Sequence, residues 1–234
     1  MAASAIHRVS RLDLKVRSRR WAFADQRHAD IEAYFATLCE KTPALWNGPV
    51  LLGRNPVFDG DCFRAEYFET DFASFMAWRD WGTPDKSVFN GFGMGALRGS
   101  DGAFILGEMA ATTANAGRIY FPSGTPDPSD VKAGTLDIAG SILREVEEET
   151  GLARSEYRAD PFWYCVASGA AFAIIQLLNA DIPGDALRAR IVRTLAEQQS
   201  PELSAIHLVR DRRDFTPAMP PYVTDFITHV TSQV

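Results

Sequence analysis

DIAGSILREVEEETGL, residues 137–152, reads as a helix with both of its ends encoded. Asp137 suits the N-cap, where a short acceptor takes up a free backbone N–H. Gly151 suits the position past the last turn, where the backbone goes left-handed. Between them Ile138, Ile142, Leu143 and Val146 recur at the spacing of one buried face. Glu145, Glu148 and Glu149 stand at i, i+3 and i+4, which gathers three carboxylates on one side, while Glu147 projects elsewhere. Three like charges that close repel one another unless a cation sits among them. Hard oxygen ligands of this kind suit magnesium, with manganese as a substitute. A bare acidic run is more often a solvated helix face, so the flanking residues decide.

Upstream of this helix, Arg118–Phe121 predicts a short strand that runs into the Pro- and Gly-rich stretch SGTPDPSDVKAG. Gly91–Leu97 and Ala103–Glu108 flank Gly99-Ser100-Asp101-Gly102, the pattern of a hairpin. Downstream, strand-like runs at Trp163–Val166 and Phe172–Leu178 precede a helix over Asp185–Gln198, a strand at Leu203–Val209 and a helix around Val223–Val230. Nearer the start, residues 11–17 alternate as a half-exposed strand, Trp21–Cys39 has helical spacing, and Val50–Leu52 and Phe63–Phe68 read as strands. Thr70 or Asp71 then caps a helix bearing Phe72, Phe75, Met76 and Trp78. The turn cluster Gly82–Asp85 marks a boundary, giving an N-terminal α/β extension at 1–87 and a second domain at 88–234. Strands interleaved with helices indicate an α/β sandwich.

The 234 residues, 46% of them apolar, can bury a substantial core without staples. A formal net charge of −6 lacks the basic footprint of a duplex nucleic-acid binder. No apolar run reaches membrane-span length, and residues 1–12 lack the apolar core of a signal peptide. Cys39, Cys62 and Cys165 form no CxxC pair; reduced thiols and a cytoplasmic location are the expectation. The four histidines show no ligand spacing, Arg188, Arg190 and Arg193 do not share a helix face, and Trp78 and Trp81 read as core.

The string REVEEETGL at 144–152 resembles the second half of the Nudix box, Arg-Glu-aliphatic-any-Glu-Glu-any-Gly-aliphatic, at every specified position. The preceding YFPSGTPDP resembles the strand, Pro and Gly with which such boxes open. The resemblance covers residues 88–234 and implies a Nudix α/β/α sandwich with a mixed sheet. It implies a magnesium-dependent diphosphatase (pyrophosphohydrolase) acting on a nucleoside diphosphate linked to another moiety. By position, Glu145, Glu148 and Glu149 are implied metal ligands, with the Gly124 carbonyl beside them, Glu148 is central to catalysis, and Arg144 orients the cluster. The spacing of the first half departs from the box. Leu136 falls where a Glu belongs, which an insertion of about six residues within 129–136 repairs, leaving Asp127, Asp130 or Asp137 to stand in for it. ALAEQQSPELSAIHLV resembles the loop that carries a further acid in many members, with Glu197 the first candidate base and Glu202 the second.

A finer likeness joins YFETDFASFMAWRDWG and NGFGMGALRGSDGAFILG to the Nudix UDP-glucose and UDP-galactose hydrolases, and motivates a nucleotide-sugar substrate. The N-terminal segment is expected to pack on the second domain and help form the substrate pocket. The substrate-contacting residues are not legible, and homodimerisation stays open. Two alternatives remain: a catalytically silent Nudix-fold nucleotide-binding or sensor module, kept alive by the missing Glu, and an isomerase, disfavoured because no cysteine lies near the box.

Overall fold

In the computed structural model, which describes residues 4–232, the chain opens with two strands, β1 (Ala5–Val9) and β2 (Arg11–Val16). The alternation in 11–17 predicts only the second. AIHRV is too short and polar to announce a strand; it is ordered by antiparallel pairing far down the chain, Val9 opposite Trp163 and Ala5 opposite Ala167. The single helix expected over Trp21–Cys39 is two, α1 (Ala22–Gln26) and α2 (His28–Lys41). They part at Arg27, whose φ of −112° and ψ of 16° leave helical geometry. A long hairpin follows, β3 (Pro49–Asp59) and β4 (Cys62–Asp71). It runs into α3 (Phe72–Asp80), where Asp71 is the N-cap and accepts from the Ser74 N–H at 2.8 Å.

Past the Gly82–Asp85 turn lie β5 (Val88–Arg98) and β6 (Phe104–Met109). The expected hairpin between them is nearly absent: they meet only at Arg98 opposite Phe104. Next come β7 (Ile119–Tyr120), β8 (Ser123–Gly124), a 3-10 turn at Pro128–Asp130, β9 (Val131–Lys132) and β10 (Thr135–Leu136). α4 (Ile138–Thr150) has the bounds its caps predict. Asp137 accepts from the Gly140 N–H at 3.0 Å, and Gly151 sits at φ 68°, where any side chain would be strained. β11 (Tyr157–Ser168) outruns its expected span because its ladder breaks between Ala159 and Trp163, where Pro161 cannot donate, and then resumes. β12 (Ala171–Ala180), α5 (Gly184–Glu197), β13 (Leu203–Val209) and α6 (Pro221–Thr231) complete the chain.

The strands form one path, β1-β11-β12-β5-β3-β4-β2-β10-β9, with β6 joining β5, β7 and β13, and with β8 on β5. β12 with β5 and β2 with β4 are parallel, the rest antiparallel, so this is a mixed α/β fold. Strands from both sides of the Gly82–Asp85 turn share the path: β3 pairs with β5, β1 with β11 and β2 with β10. The core is shared as well, since Phe63 of β4 stacks on Phe172 of β12 at 4.8 Å and 6°. α4 buries Ile138, Ile142 and Val146, each at 1% exposure or less, worth about 1.5–3 kcal/mol per side chain. That burial holds the acidic face of the helix in register.

Several smaller expectations are settled by packing. Trp78 is core, and its indole donates to the Asp85 carbonyl at 3.0 Å; Trp81 is half-buried beneath Arg27. Arg190 pairs with Glu156, and Arg188 donates to the Ile206 carbonyl. Cys62 and Cys165 are buried and Cys39 is half-buried, all three unpaired. Among the described residues, no helix is long and apolar enough to cross a membrane.

Candidate functional site

α4 turns its polar side towards β8 and the loop between α5 and β13. The Glu149 carboxylate is buried at 4% exposure, Glu145 has a side chain 12% exposed, and Glu148 reaches outward at 60%. One opening of about 420 Å³ is lined by all three together with Gln198, Gln199, Ser200 and Glu202. The loop is tied to the helix end by the Gln198 amide, which donates to the Glu148 carbonyl at 3.0 Å.

Arg144 binds this cluster from the side. One guanidinium nitrogen lies 2.7 Å from Glu145 Oε1 and 3.6 Å from Glu148 Oε2, and the other is 2.9 Å from Asp130 Oδ1. Asp130 is buried and also accepts from the Ser141 hydroxyl at 3.3 Å and the Asp127 N–H at 3.2 Å. Of the three aspartates open as stand-ins, Asp130 is therefore the one on Arg144. Asp137 is occupied by the helix cap and Lys132, and Asp127 caps the 3-10 turn. The sequence does not single out Asp130, because an irregular loop brings it there.

Gly124 lies against the same cluster. A Cβ at this position would stand 2.3 Å from Glu145 Oε1, so only glycine lets the backbone approach the carboxylate. The neighbouring Ser123 N–H donates to Glu149 Oε1 at 3.4 Å.

Burial pushes the Glu145 carboxyl up to about 7; Arg144 opposes this, and the charges of Glu148, Glu202 and Asp130 add to it. Burial also raises Glu149 well above the usual carboxylate range, reinforced by Glu145 and opposed by the Ser123 N–H. Arg144 loses some hydration, but Asp130, Glu145 and Glu148 outweigh that and raise it further. These are acids held close with too little positive charge among them. Among the described residues, no group of three or more His, Cys, Asp or Glu side chains is arranged to hold a metal ion. Glu145 is turned onto Arg144 and Glu148 extends towards solvent.

The two candidate bases separate. Glu202 lines the opening with the three glutamates, and its charge bears on both Glu145 and Glu149. Glu197, the first candidate from the loop pattern, ends α5 exposed and outside that opening. Both are exposed, and of the two it is Glu202 that lies beside the glutamates of α4.

A second cavity of about 330 Å³ opens from Gly124, Glu145 and Glu202 towards the N-terminal segment. Phe72, Phe75 and Arg79 of α3 form one side, and Phe92, Tyr120 and Tyr222 are among its other walls. Phe72 and Phe75 belong to the aromatic helix of the segment expected to help form the pocket, whereas Arg79, Phe92, Tyr120 and Tyr222 are not singled out by the sequence, because tertiary packing alone brings them there.

No family model and no curated protein matches the sequence. Among solved structures, the chain is similar to a Nudix hydrolase from M. smegmatis, RenU, with 12% identity over 61% of this chain and 83% of that one, at a TM-score of 0.39. It is similar to a MutT protein from Methanosarcina mazei Go1, with 17% identity over 62% of this chain and 94% of that one, at a TM-score of 0.40. It is also similar to a bifunctional NMN adenylyltransferase/ADP ribose pyrophosphatase from Francisella tularensis, with 13% identity over 68% of this chain and 45% of that one, at a TM-score of 0.42. The likeness is partial, with every one of these scores below 0.5.

Proposed function

We propose that this protein is a Nudix-type hydrolase that cleaves the diphosphate bond of a nucleoside diphosphate linked to another moiety, with a nucleotide sugar as one candidate. The observation that carries the reading is the mutual burial of Glu145 and Glu149 beside Gly124, with Arg144 and Asp130 behind them, at the mouth of an organic-lined cavity. Magnesium, or manganese in its place, fits the donor set. Glu145, Glu148 and Glu149 are hard oxygen donors on one helix face, and Gly124 lets the Glu145 carboxylate lie directly against its backbone. The i, i+3, i+4 spacing places the three carboxylates on the same side of the helix, which is what supports the cation here.

When bound, the cation neutralises the diphosphate and makes a water molecule a better nucleophile. The chain's own residues do the rest. Asp130 fixes Arg144, and Arg144 steers Glu145. Glu202, on the facing loop, accepts the proton as water oxygen bonds to phosphorus and the bridging P–O bond breaks. The products are two phosphomonoesters. Glu202→Gln should lower turnover about a hundredfold, whereas Glu197→Gln should leave it near normal; a larger loss at Glu197 would reverse the assignment of the base.

The carboxylate repulsion also gives a test that needs no substrate. In chelated protein at pH 8, Glu149→Gln should raise stability by about 1 kcal/mol, or about 2–4 °C in Tm. Manganese should raise the Tm of the natural protein and do less for the variant, by mass action on the folded state. An unchanged or lowered Tm in the chelated variant would contradict a strained acidic cluster.

A second reading, a silent binding module, draws on the open arrangement of the three carboxylates. One experiment divides the two: nucleotide sugars, ADP-ribose, dinucleoside polyphosphates, coenzyme A and nucleoside triphosphates incubated with magnesium, with phosphate products as the readout. Hydrolysis of a member that stops on chelation supports the enzyme. Tight binding with no product from any of them supports the module, and turnover that survives exhaustive chelation removes the metal from the proposal.

A further inference from the structure

We propose that Tyr120 is a further catalytic residue, whose hydroxyl donates a hydrogen bond to a non-bridging oxygen of the departing phosphate. The identity of the reaction rests on the hydrolase reading above; the direction of the hydroxyl's proton rests on the chain's own hydrogen bonds. Tyr120 ends β7 and lines the cavity of about 330 Å³ together with Gly124, Glu145 and Glu202. It is 6% exposed, whereas Asn115, which is bonded to its hydroxyl, is exposed at the rim. The ring is therefore buried with its hydroxyl end towards the opening. The charges of Glu149 and Glu202 bear on that hydroxyl, which sets it on the acidic side of the cavity.

A chain of donors settles where the proton goes. Asp80 accepts from the Tyr34 hydroxyl at 2.6 Å and from Arg79 Nε at 2.8 Å, which fixes the guanidinium. Arg79 then donates to Asn115 Oδ1 at 3.4 Å. A guanidinium cannot accept, so the carbonyl side of Asn115 faces Arg79 and its N–H side faces Tyr120, at 3.1 Å. Tyr120 takes that bond on a lone pair and keeps its own proton for another acceptor. Among the described residues, none receives it. Burial raises Tyr120 above the usual phenol range, Asn115 opposes this, and Glu149, Tyr222 and Glu202 add to it, so the group stays a protonated donor. Bonds in such a chain polarise one another, and the cation at its far end strengthens the last donor. As the bridging P–O bond breaks, negative charge collects on the departing phosphate, and a donor fixed in advance stabilises it. The hydroxyl keeps its proton throughout. Asn115 and Arg79 act through Tyr120 and are positioning residues. Tyr34, Arg79 and Asp80 all precede the Gly82–Asp85 turn, so the N-terminal segment reaches the reacting phosphate along this chain.

The test uses the full-length protein with magnesium. Tyr120→Phe keeps the packed ring and removes only the hydroxyl. With ADP-ribose or UDP-glucose, whichever is cleaved, kcat should fall about tenfold to a hundredfold while KM stays within about threefold. Asn115→Ala, at an exposed position, should lower kcat about threefold to tenfold by letting the hydroxyl turn, and should add almost nothing to Tyr120→Phe. Calorimetry with methylenediphosphonate, which has no bridging oxygen to cleave, reads the same hydrogen bond without turnover, and Tyr120→Phe should weaken it about threefold. An unchanged kcat in Tyr120→Phe, with or without a raised KM, overturns the catalytic role, and additive losses overturn the positioning by Asn115. Weaker methylenediphosphonate binding in the variant, with no turnover by either protein, would keep the hydrogen bond and remove the enzyme. Equal binding in both proteins, or none in either, would remove the hydrogen bond whatever the turnover.

Discussion

Glu148→Gln will lower turnover by at least about a hundredfold in a protein that remains folded. The two halves of that expectation have separate causes. Glu148 is the most exposed of the three glutamates, and its ion pair to Arg144 is long at 3.6 Å. An exposed pair of this kind contributes little to stability, so the melting temperature should stay within about 2 °C. Glu148 nevertheless lines the opening with Glu145, Glu149 and Glu202. As a proposed cation ligand it has a charge that a glutamine cannot supply. A decline in kcat with matched circular dichroism and Tm is the expected pattern. Near-normal kcat in the folded variant would sink the metal assignment on α4.

Gly124→Ala should be nearly as damaging to activity, and for a steric reason. The added methyl would meet Glu145 Oε1 at 2.3 Å and its Cδ at 2.5 Å. The obstacle is the far end of a side chain, so the backbone keeps its place and the carboxylate swings away. Stability should change by less than about 1 kcal/mol, because β8 lies at the periphery of the sheet and no core residue moves. Turnover should fall about a hundredfold, since displacements near an ångström at a reacting centre cost that much. A double-substitution cycle gives the sharper readout: in a Glu145→Ala background the methyl has nothing to displace, and its further effect should nearly vanish. Additive losses would place the role of Gly124 elsewhere.

How much was legible beforehand follows from how local each cause is. α4 was readable to the residue because Asp137 and Gly151 cap it and its apolar spacing is regular. The three glutamates came with it, since helical spacing alone puts them on one face. The edges of the fold were not readable. β1 exists only because residues 163–167 lie beside it. The break at Arg27 has no proline or glycine to announce it. The hairpin signal at Gly99–Gly102 is a real turn, but β5 and β6 leave it for different partners: β12 for one, β7 and β13 for the other. The site divides in the same way. Asp130 reaches Arg144 across an irregular loop, and Glu202 rather than Glu197 lines the opening because a helix end and a loop differ by a few residues. Phe75, Tyr120 and Tyr222 come from three distant segments and meet only in the folded molecule.

β1 and β2 stand on either side of Ser10, and their partners lie at opposite ends of the strand order: β11 for the first, β4 and β10 for the second. During synthesis, then, β1 leaves the ribosome long before the strand it pairs with. β2 can dock once β4 has emerged, but β1 must wait for residues 163–167, and the loop it closes spans most of the chain. Pairings of such long range make folding slow and leave the uncovered edge of β11 open to wrong partners meanwhile. Deletion of β1 would therefore be felt first as a lower yield of soluble protein and a slower approach to the native state, well before any change at the glutamates.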